Sequence, residues 1–265
     1  MIRLYFRLIG ASVRAQMQYK LSFVLDIGGF LLLTGLEFAV AAILILRFGS
    51  VAGWSVAEVS LLYGLTAVSF SLSEMIMRGF DGPFSRMMQQ GTFDIMLIRP
   101  LPALFQVFAS HFQLRRLGRT MQGALALAFA FASLPIAWSV AKVVLLPITI
   151  AAGALIYGGI VLLGATICFW TIKSPEVINV FTSGGTTMVS YPLSIYSRWM
   201  RAVFLWIIPL AFVNYPAALL LLGRRDPNGL PAALAWASPL VAALFFAVAL
   251  GFWRVGVGKY QGTGS

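Results

Sequence analysis

The residue types that most often perform chemistry in proteins are scarce in this chain. Its 265 residues include one His, one Cys and eight acidic residues. His111 lies beside Arg115 and Arg116 without a residue that would orient it as a general base, which favours a solvated role. Cys168 lies in an apolar run and has no second cysteine or ligand cluster with which to form a disulfide or a metal site. We therefore expect no metal, cofactor or catalytic centre on this chain.

A nucleotide-hydrolysis signature is also missing from the sequence. Such a site needs a loop of the form GxxxxGK[ST], in which backbone amides and a lysine bind phosphates. The only Gly-Lys pair is Gly258 and Lys259; Tyr260 follows it, and Trp253 stands where the earlier glycine is required. Any energy from ATP would therefore have to come through another chain.

Four carboxylates, Asp26, Glu37, Glu58 and Glu74, lie in or near the first two apolar runs. Asp26, Glu58 and Glu74 are close to the ends of these runs, where interfacial water is expected to solvate them. Glu37 lies near the middle of its run, where an ionised group is costly, so it should face a cavity or another chain. A proton relay would need a matching series of intramembrane His, Asp or Lys residues, which the sequence does not offer.

Composition places the chain in a membrane. Hydrophobic residues make up 60% of it and charged residues 10%, and its mean hydropathy is +0.91. The net charge of +11 comes from basic residues that flank apolar runs and form no nucleic-acid motif. Such residues suit contact with anionic membrane lipid, so we expect no nucleic-acid partner.

Seven apolar runs approach the roughly 20 residues that a membrane span requires. They cover residues 22–46, 56–77, 120–139, 143–172, 176–196, 202–222 and 232–252. Pro209 and Pro216 would break a simple span over 202–222, which favours an all-α fold with six transmembrane helices over one with seven. Residues 1–20 have Arg3, Arg7 and Arg14 near one helical face, which predicts an interfacial helix rather than a cleaved signal peptide.

Six spans place both chain ends in the cytoplasm. Basic residues are concentrated on that side, before the first run and within residues 78–119, as the positive-inside rule requires. Arg198, Arg201, Arg224 and Arg225 lie on the opposite side and oppose this orientation. A seventh span would move Arg224 and Arg225 into the cytoplasm, so the span number stays open at this point.

The longest polar interval, residues 78–119, contains the segment GTFDIMLIRPLP at 91–102. With this segment, the chain resembles the membrane subunits of ATP-binding-cassette exporters of the type-2 class. The resemblance covers nearly the whole chain: an interfacial N-terminal helix, two spans, a cytoplasmic segment, four further spans and a proline-bearing region before the last span.

In that family, a short coupling helix after the second span docks on the ATPase. Its pattern of a Gly, an acidic residue, an apolar pair and a Pro is matched in order, and Arg99 fits the Arg-Pro-Leu form of one branch of the family. The matching residues are Gly91, Asp94, Met96, Leu97, Arg99 and Pro100. The resemblance therefore implies an ATPase-coupling role for this segment, and for Asp94 and Arg99 in particular. The alternative is an amphipathic loop helix that contacts lipid headgroups.

The region 191–223 is similar to the outer re-entrant region of these permeases, with Pro192, Pro209 and Pro216 as breakpoints. We take residues 197–231 as this re-entrant element and its connecting loop. An element of this kind enters the membrane and returns to the same side.

The resemblance implies a single permease domain over residues 1–265 in the bacterial cytoplasmic (inner) membrane. Its expected partners are a second permease, identical or related, in a dimer and a cytosolic ATPase that holds ATP and Mg. The expected substrate is hydrophobic or amphiphilic, with Glu37 as the candidate residue of the translocation path. Two alternatives stay open: a membrane-embedded lipid-modifying enzyme using Glu37 or His111, and a membrane scaffold whose cytoplasmic segment recruits a partner.

Overall fold

A computed structural model describes residues 2–171 and 179–260 of the chain. Over these residues the chain is helical apart from its connecting loops and one isolated bridge between Val51 and Trp54. Four helices are long and apolar enough to cross a membrane, and they cover Lys20–Arg47, Val56–Gln89, Val140–Thr171 and Ala232–Lys259. The prediction of an all-α membrane protein is therefore confirmed, whereas the number of six spans stays a prediction.

The α-helices of the described residues are joined by loops and by short 3₁₀ or π-helical turns. In chain order they are α1 (Ile2–Met17), α2 (Lys20–Phe48), α3 (Val56–Met77), α4 (Gly82–Gln89), α5 (Phe93–Leu97), α6 (Ala103–Ser110), α7 (Leu117–Ser133), α8 (Val140–Thr171), α9 (Gly185–Val189), α10 (Arg198–Ala202), α11 (Tyr215–Leu222) and α12 (Ser238–Lys259).

Helix α3 is the centre of the bundle and packs against α7 and α8, while α12 also packs against α8. A capping box begins α3: the Glu58 backbone N–H donates to Ser55 Oγ, and the Ser55 N–H donates to the Glu58 carboxylate. Helices α3 and α7 approach closely because Gly64 carries no side chain. A Cβ at Gly64 would lie 2.6 Å from Leu127 Cγ.

Two further helical segments run beside the four long helices. Helix α7 has 17 residues and packs against α2 and α3. A π-helical turn over Val180–Gly184 continues directly into α9, which also contacts α3. The predicted span 176–196 begins at residues 176–178, which lie outside the described residues.

One end of the bundle, which we call the α5 end, consists of α1 and the short helices α4 to α6. Helix α1 lies against this group: Ser12 Oγ donates to the Phe112 carbonyl at 3.1 Å, and the Leu114 N–H donates to Gln16 Oε1 at 2.9 Å. Arg3, Arg7 and Arg14 are exposed, although the role of α1 at a membrane surface stays a prediction.

The opposite end of the bundle is closed by a folded segment that includes α10 and α11. We call this segment the hairpin, and this end of the bundle the hairpin end. Its two arms meet where Arg201 Nη2 donates to Asp226 Oδ2 at 3.0 Å. At its tip, the Asn214 side-chain amide donates to the Leu62 carbonyl at 3.1 Å and to Thr66 Oγ1 at 2.8 Å, inside the bundle. The segment therefore enters the bundle beside α3 and returns to the end at which it started.

Candidate functional site

One buried aromatic side chain holds in place the segment that resembles a coupling helix. Phe93, in the first turn of α5, is fully buried. Its ring centroid lies 5.5 Å from those of Phe84 and Phe169 and 5.2 Å from that of Tyr260. Ring contacts of this kind add about 0.5–1.5 kcal/mol per pair beyond simple burial. Phe169 lies near the end of α8 and Tyr260 follows α12, so α5 is fixed directly to two long helices.

The other side of α5 and the turn after it form one exposed patch, which we call the α5 surface. Its members are Asp94, Ile95, Leu97, Ile98, Arg99 and Pro100. Gly91, which precedes the helix, has a φ of +65°, a conformation that favours glycine. Met96 is half-buried against the aromatic cluster, and Ile98 is 83% exposed. Exposed aliphatic side chains beside charges of both signs are typical of a docking surface.

Neighbouring residues hold the α5 surface in its conformation. Gln106 of α6 is buried, and its Nε2 donates to the carbonyls of Met96 at 2.7 Å and Leu101 at 2.8 Å. These bonds satisfy a carbonyl near the helix end and one in the turn after it. Burial, and then the nearby Asp94 carboxylate, raise the pKa of the Tyr260 hydroxyl. Asp94 of the α5 surface therefore lies near Tyr260, which follows α12.

Glu37, the predicted path residue, lies at a cavity of about 440 Å³ on the hairpin-end half of the bundle. Tyr63 and Arg119 line the same cavity together with hydroxyl side chains from the segment that contains α9. These hydroxyl residues are Ser183, Thr186, Thr187, Ser190 and Tyr191. Tyr63 Oη donates to Gln122 Oε1 at 2.8 Å. The surroundings of Glu37 are therefore polar, whereas its part in translocation stays a prediction.

A second cavity, of about 380 Å³, lies nearer the α5 end and is richer in charge. Its charged lining residues are Glu74, Arg78, Asp81, Arg116 and Arg119. Arg119 and Ser183 line both cavities, so the two are adjacent. We call the pair of cavities the polar groove.

Arg116 and Arg119 were not identified as site residues from the sequence, which assigned them to the cytoplasmic segment. In the structure both arginines face Glu74 of α3. Arg116 Nη2 lies 3.2 Å from Glu74 Oε1, and Arg119 Nη1 lies 3.6 Å from Glu74 Oε2. Their guanidinium groups also lie over the rings of Phe30 and Phe70. The sequence did contain one indication: the two arginines are three positions apart at the start of an apolar run, which puts both on one helical face.

The carboxylates expected to be solvated at the membrane surface have arginine partners, and Asp26 is exposed as well. In addition to the Glu74 pairs, Arg115 Nη1 lies 3.5 Å from Asp26 Oδ2. Arg224 Nη1 donates to Glu58 Oε1 at 2.8 Å, and the Arg224 guanidinium lies 4.6 Å from the centre of the Trp54 ring. The sequence did not indicate these pairs because the partners are far apart along the chain.

Two of the four arginines that opposed the predicted orientation are neutralised at the hairpin end. Arg224 is paired with Glu58, and Arg201 with Asp226. An arginine paired with a carboxylate adds no net charge to its end of the bundle. The positive-inside rule counts basic residues and not net charge, so both residues still count against the predicted orientation.

The three prolines predicted to be breakpoints all lie at element boundaries. Pro192 precedes the 3₁₀ turn Leu193–Ile195, and Pro209 separates a π-helical turn from the 3₁₀ turn Leu210–Val213. Pro216 occupies the first turn of α11, where the fixed φ of proline suits the start of a helix. Pro216 therefore begins a helix and does not interrupt one.

His111, one of the alternative catalytic residues, lies at the end of α6 with its Nδ1 2.8 Å from Ser110 Oγ. Burial, and then the positive charges of Arg86 and Arg78, lower the pKa of His111. Within residues 2–171 and 179–260, no group of three or more His, Cys, Asp or Glu side chains could hold a metal ion.

The apolar helices, the polar groove and the exposed α5 surface define a multi-pass helical membrane protein with an exposed patch of apolar and charged residues at one end. The family model described as ABC-2 family transporter protein matches residues 30–264, and the chain belongs to this family. The resemblance found in the sequence is thereby confirmed. The chain is an ABC transporter permease, a membrane transport component of a kind that generally works with an ATP-binding subunit. No curated protein and no solved structure matches it.

Proposed function

We propose that this permease is the membrane subunit of an ATP-driven exporter in the bacterial cytoplasmic (inner) membrane. It moves a hydrophobic or amphiphilic substrate, and a separate cytosolic ATPase, which holds ATP and Mg, docks on the α5 surface. A second permease, identical or related, completes a dimer. The observation that carries the proposal is the α5 surface, an exposed patch on a buried aromatic base in a chain of this family.

The contacts of Phe93 support a direct route from the ATPase to the membrane helices. Its ring touches Phe169 of α8 and lies 6.5 Å from that of Trp253 in α12. A displacement of α5 on ATP binding would therefore reach both helices through packed side chains, because a close-packed core transmits movement. The ATP-bound ATPase binds one conformation of the permease better than the other and therefore shifts the permease toward that conformation.

A six-span topology is part of the proposal. The 17 residues of α7 extend about 25 Å, close to the hydrocarbon thickness of a bilayer. The helical segment that contains α9 supplies a further span. The hairpin, whose arms meet at Arg201 and Asp226, is then the outer re-entrant element, and the α5 end and both chain termini face the cytoplasm.

The polar groove is the candidate translocation path. Its hydroxyl side chains and Glu37 can hydrogen-bond a polar headgroup, while exposed aliphatic residues of α2 beside Glu37 offer an apolar surface. These aliphatic residues are Leu32, Leu33, Leu36, Val40 and Ile43. A second permease facing the groove would enclose the substrate between two such surfaces.

Co-purification followed by an ATPase assay tests this function. We expect the tagged full chain, extracted mildly from its native membrane, to carry a polypeptide that hydrolyses ATP. Ile98→Asp should remove that hydrolase, because it places a charge in the most exposed apolar position of the α5 surface.

Gln90→Asp is the matched control, since it adds the same charge to an exposed residue just before the segment. This variant should retain the hydrolase. Absence of ATP hydrolysis from the wild-type preparation, or equal recovery of hydrolase with Ile98→Asp, would count against the proposal.

A further inference from the structure

The α5-end half of the polar groove contains more cationic than anionic groups. Arg78 is paired with Asp81, which leaves the Glu74 carboxylate to face both Arg116 and Arg119. The Arg119 contact, at 3.6 Å, is longer than a hydrogen bond. Among the described lining residues, one guanidinium charge therefore has no carboxylate of its own.

The same groups are largely withdrawn from water and are held in place. The exposed fractions of the side chains are 14% for Arg116, 20% for Arg119 and 14% for Glu74. Within the described chain, Nε of Arg116, Nε of Arg119 and Oε2 of Glu74 are buried and have no hydrogen-bond partner. The guanidinium groups lie 4.7 Å from the Phe30 ring centre and 4.8 Å from that of Phe70, contacts that restrict their orientation. Buried donors of this kind favour an anionic acceptor.

We propose that this half of the groove is an anion-binding site for the phosphate or carboxylate headgroup of an amphiphile. The proposal rests on the proposed export function and names its substrate class. Guanidinium groups bind the paired oxygens of phosphates and carboxylates, and basic pockets between membrane helices near the cytoplasmic surface bind anionic headgroups. Asn179 and Ser183, which are exposed at the rim of the cavity, supply further donors.

The position of Arg119 connects this site to the candidate path. Because Arg119 lines both cavities, a headgroup bound beside it lies at the boundary with the cavity that contains Glu37. Glu74 is the internal counter-ion, and it competes with the ligand for the two guanidinium groups. Removal of the Glu74 charge should therefore strengthen anion binding.

Lipid binding to the purified full chain in detergent tests the site. The probes are radiolabelled dioleoyl phosphatidylglycerol and zwitterionic dioleoyl phosphatidylcholine, with inorganic phosphate as a competitor. We expect saturable binding of phosphatidylglycerol, preferred over phosphatidylcholine. The double variant Arg116→Gln with Arg119→Gln should lower the affinity for phosphatidylglycerol by at least about tenfold, since it removes charged hydrogen bonds.

Two further variants separate a binding effect from a folding defect. Arg115→Gln changes a neighbouring arginine that is paired with Asp26 and does not line this cavity, so it should bind like the wild type. Glu74→Gln should bind phosphatidylglycerol more tightly than the wild type, a gain that a misfolded protein would not produce.

The competitor distinguishes two sources of the anion. If inorganic phosphate displaces the lipid, the site binds free anions. If inorganic phosphate does not displace the lipid, the site binds lipid headgroups. Equal binding of the two lipids, or unchanged affinity in the double arginine variant, would overturn the proposal. These measurements need no ATPase, so their failure would leave the docking proposal untouched.

Discussion

The substitution Asp226→Ala tests the closure of the hairpin end, because this residue joins the two arms of the hairpin. Its side chain is fully buried. The carboxylate accepts hydrogen bonds from Arg201 Nη2 at 3.0 Å, from Tyr215 Oη at 2.6 Å, and from the backbone N–H groups of Asn228 and Leu230 at 3.1 Å each. The substitution removes all four contacts and leaves Arg201, whose side chain is 9% exposed, without its counter-ion.

The burial of both partners sets the expected magnitude. Removal of one partner of a buried ion pair costs about 3–5 kcal/mol, whereas an exposed pair contributes only about 0–1 kcal/mol. We expect Asp226→Ala to lower the free energy of unfolding by an amount in the first range. The double variant Arg201→Met with Asp226→Leu should cost less than the sum of its single changes, because no buried charge is left unpaired.

Unfolding of the purified variants in mixed micelles of increasing sodium dodecyl sulfate content, followed by tryptophan fluorescence, measures these free energies. Tyr215→Phe serves as a milder control, since it removes one of the four hydrogen bonds and should cost about 1 kcal/mol. A loss below about 1 kcal/mol for Asp226→Ala, or strict additivity in the double variant, would refute a buried closure of the hairpin.

Two further predictions concern helix packing and topology. Gly64→Ala should destabilise the protein by about 1–3 kcal/mol in the same unfolding assay, because its Cβ would overlap Leu127. Gly29→Ala in α2 is the control and should not destabilise it, because nothing lies within 4 Å of that position. Equal effects of the two substitutions would contradict the close approach of α3 and α7. In a Cys168→Ser background, a single Cys that replaces Asn228 should react with a membrane-impermeant thiol reagent added to intact cells. A single Cys that replaces Gln89 should not react. Labelling of position 228 only after the membrane is opened would support seven spans.

Local patterns predicted the long helices and the turn residues of this fold. Helices α2, α3, α8 and α12 follow from apolar runs long enough to cross a membrane, and such a run is visible without knowledge of its neighbours. Pro209 predicted an interruption because a proline inside a helix loses a backbone hydrogen bond. The resemblance to the permease family, and not a local pattern, implied the short helix after Gly91, which the structure contains.

The ion pairs of the groove and the hairpin end could not be predicted in this way. Arg224 and Glu58 are separated by 166 positions, and they meet only because the hairpin returns to the N-terminal end of α3. Likewise, the contact of Arg116 and Arg119 with Glu74 depends on the rotation of α7 against α3. That rotation depends on the packing of the whole bundle, including the close approach at Gly64, and not on a local pattern.

Charge exchange on the α5 surface tests the central claim, that an ATPase docks there, most directly. The double variant Asp94→Arg with Arg99→Glu reverses both exposed charges without changing the net charge, so any effect arises from their arrangement. The measurement is ATP hydrolysis by the co-reconstituted ATPase in lipid, with Arg254→Glu, another exposed arginine near the end of α12, as the control. We predict normal membrane insertion but loss of ATPase binding and of permease-stimulated hydrolysis in the double variant, and retention of both in the control. Unchanged ATPase recovery together with unchanged hydrolysis in the double variant would contradict the docking role of the α5 surface.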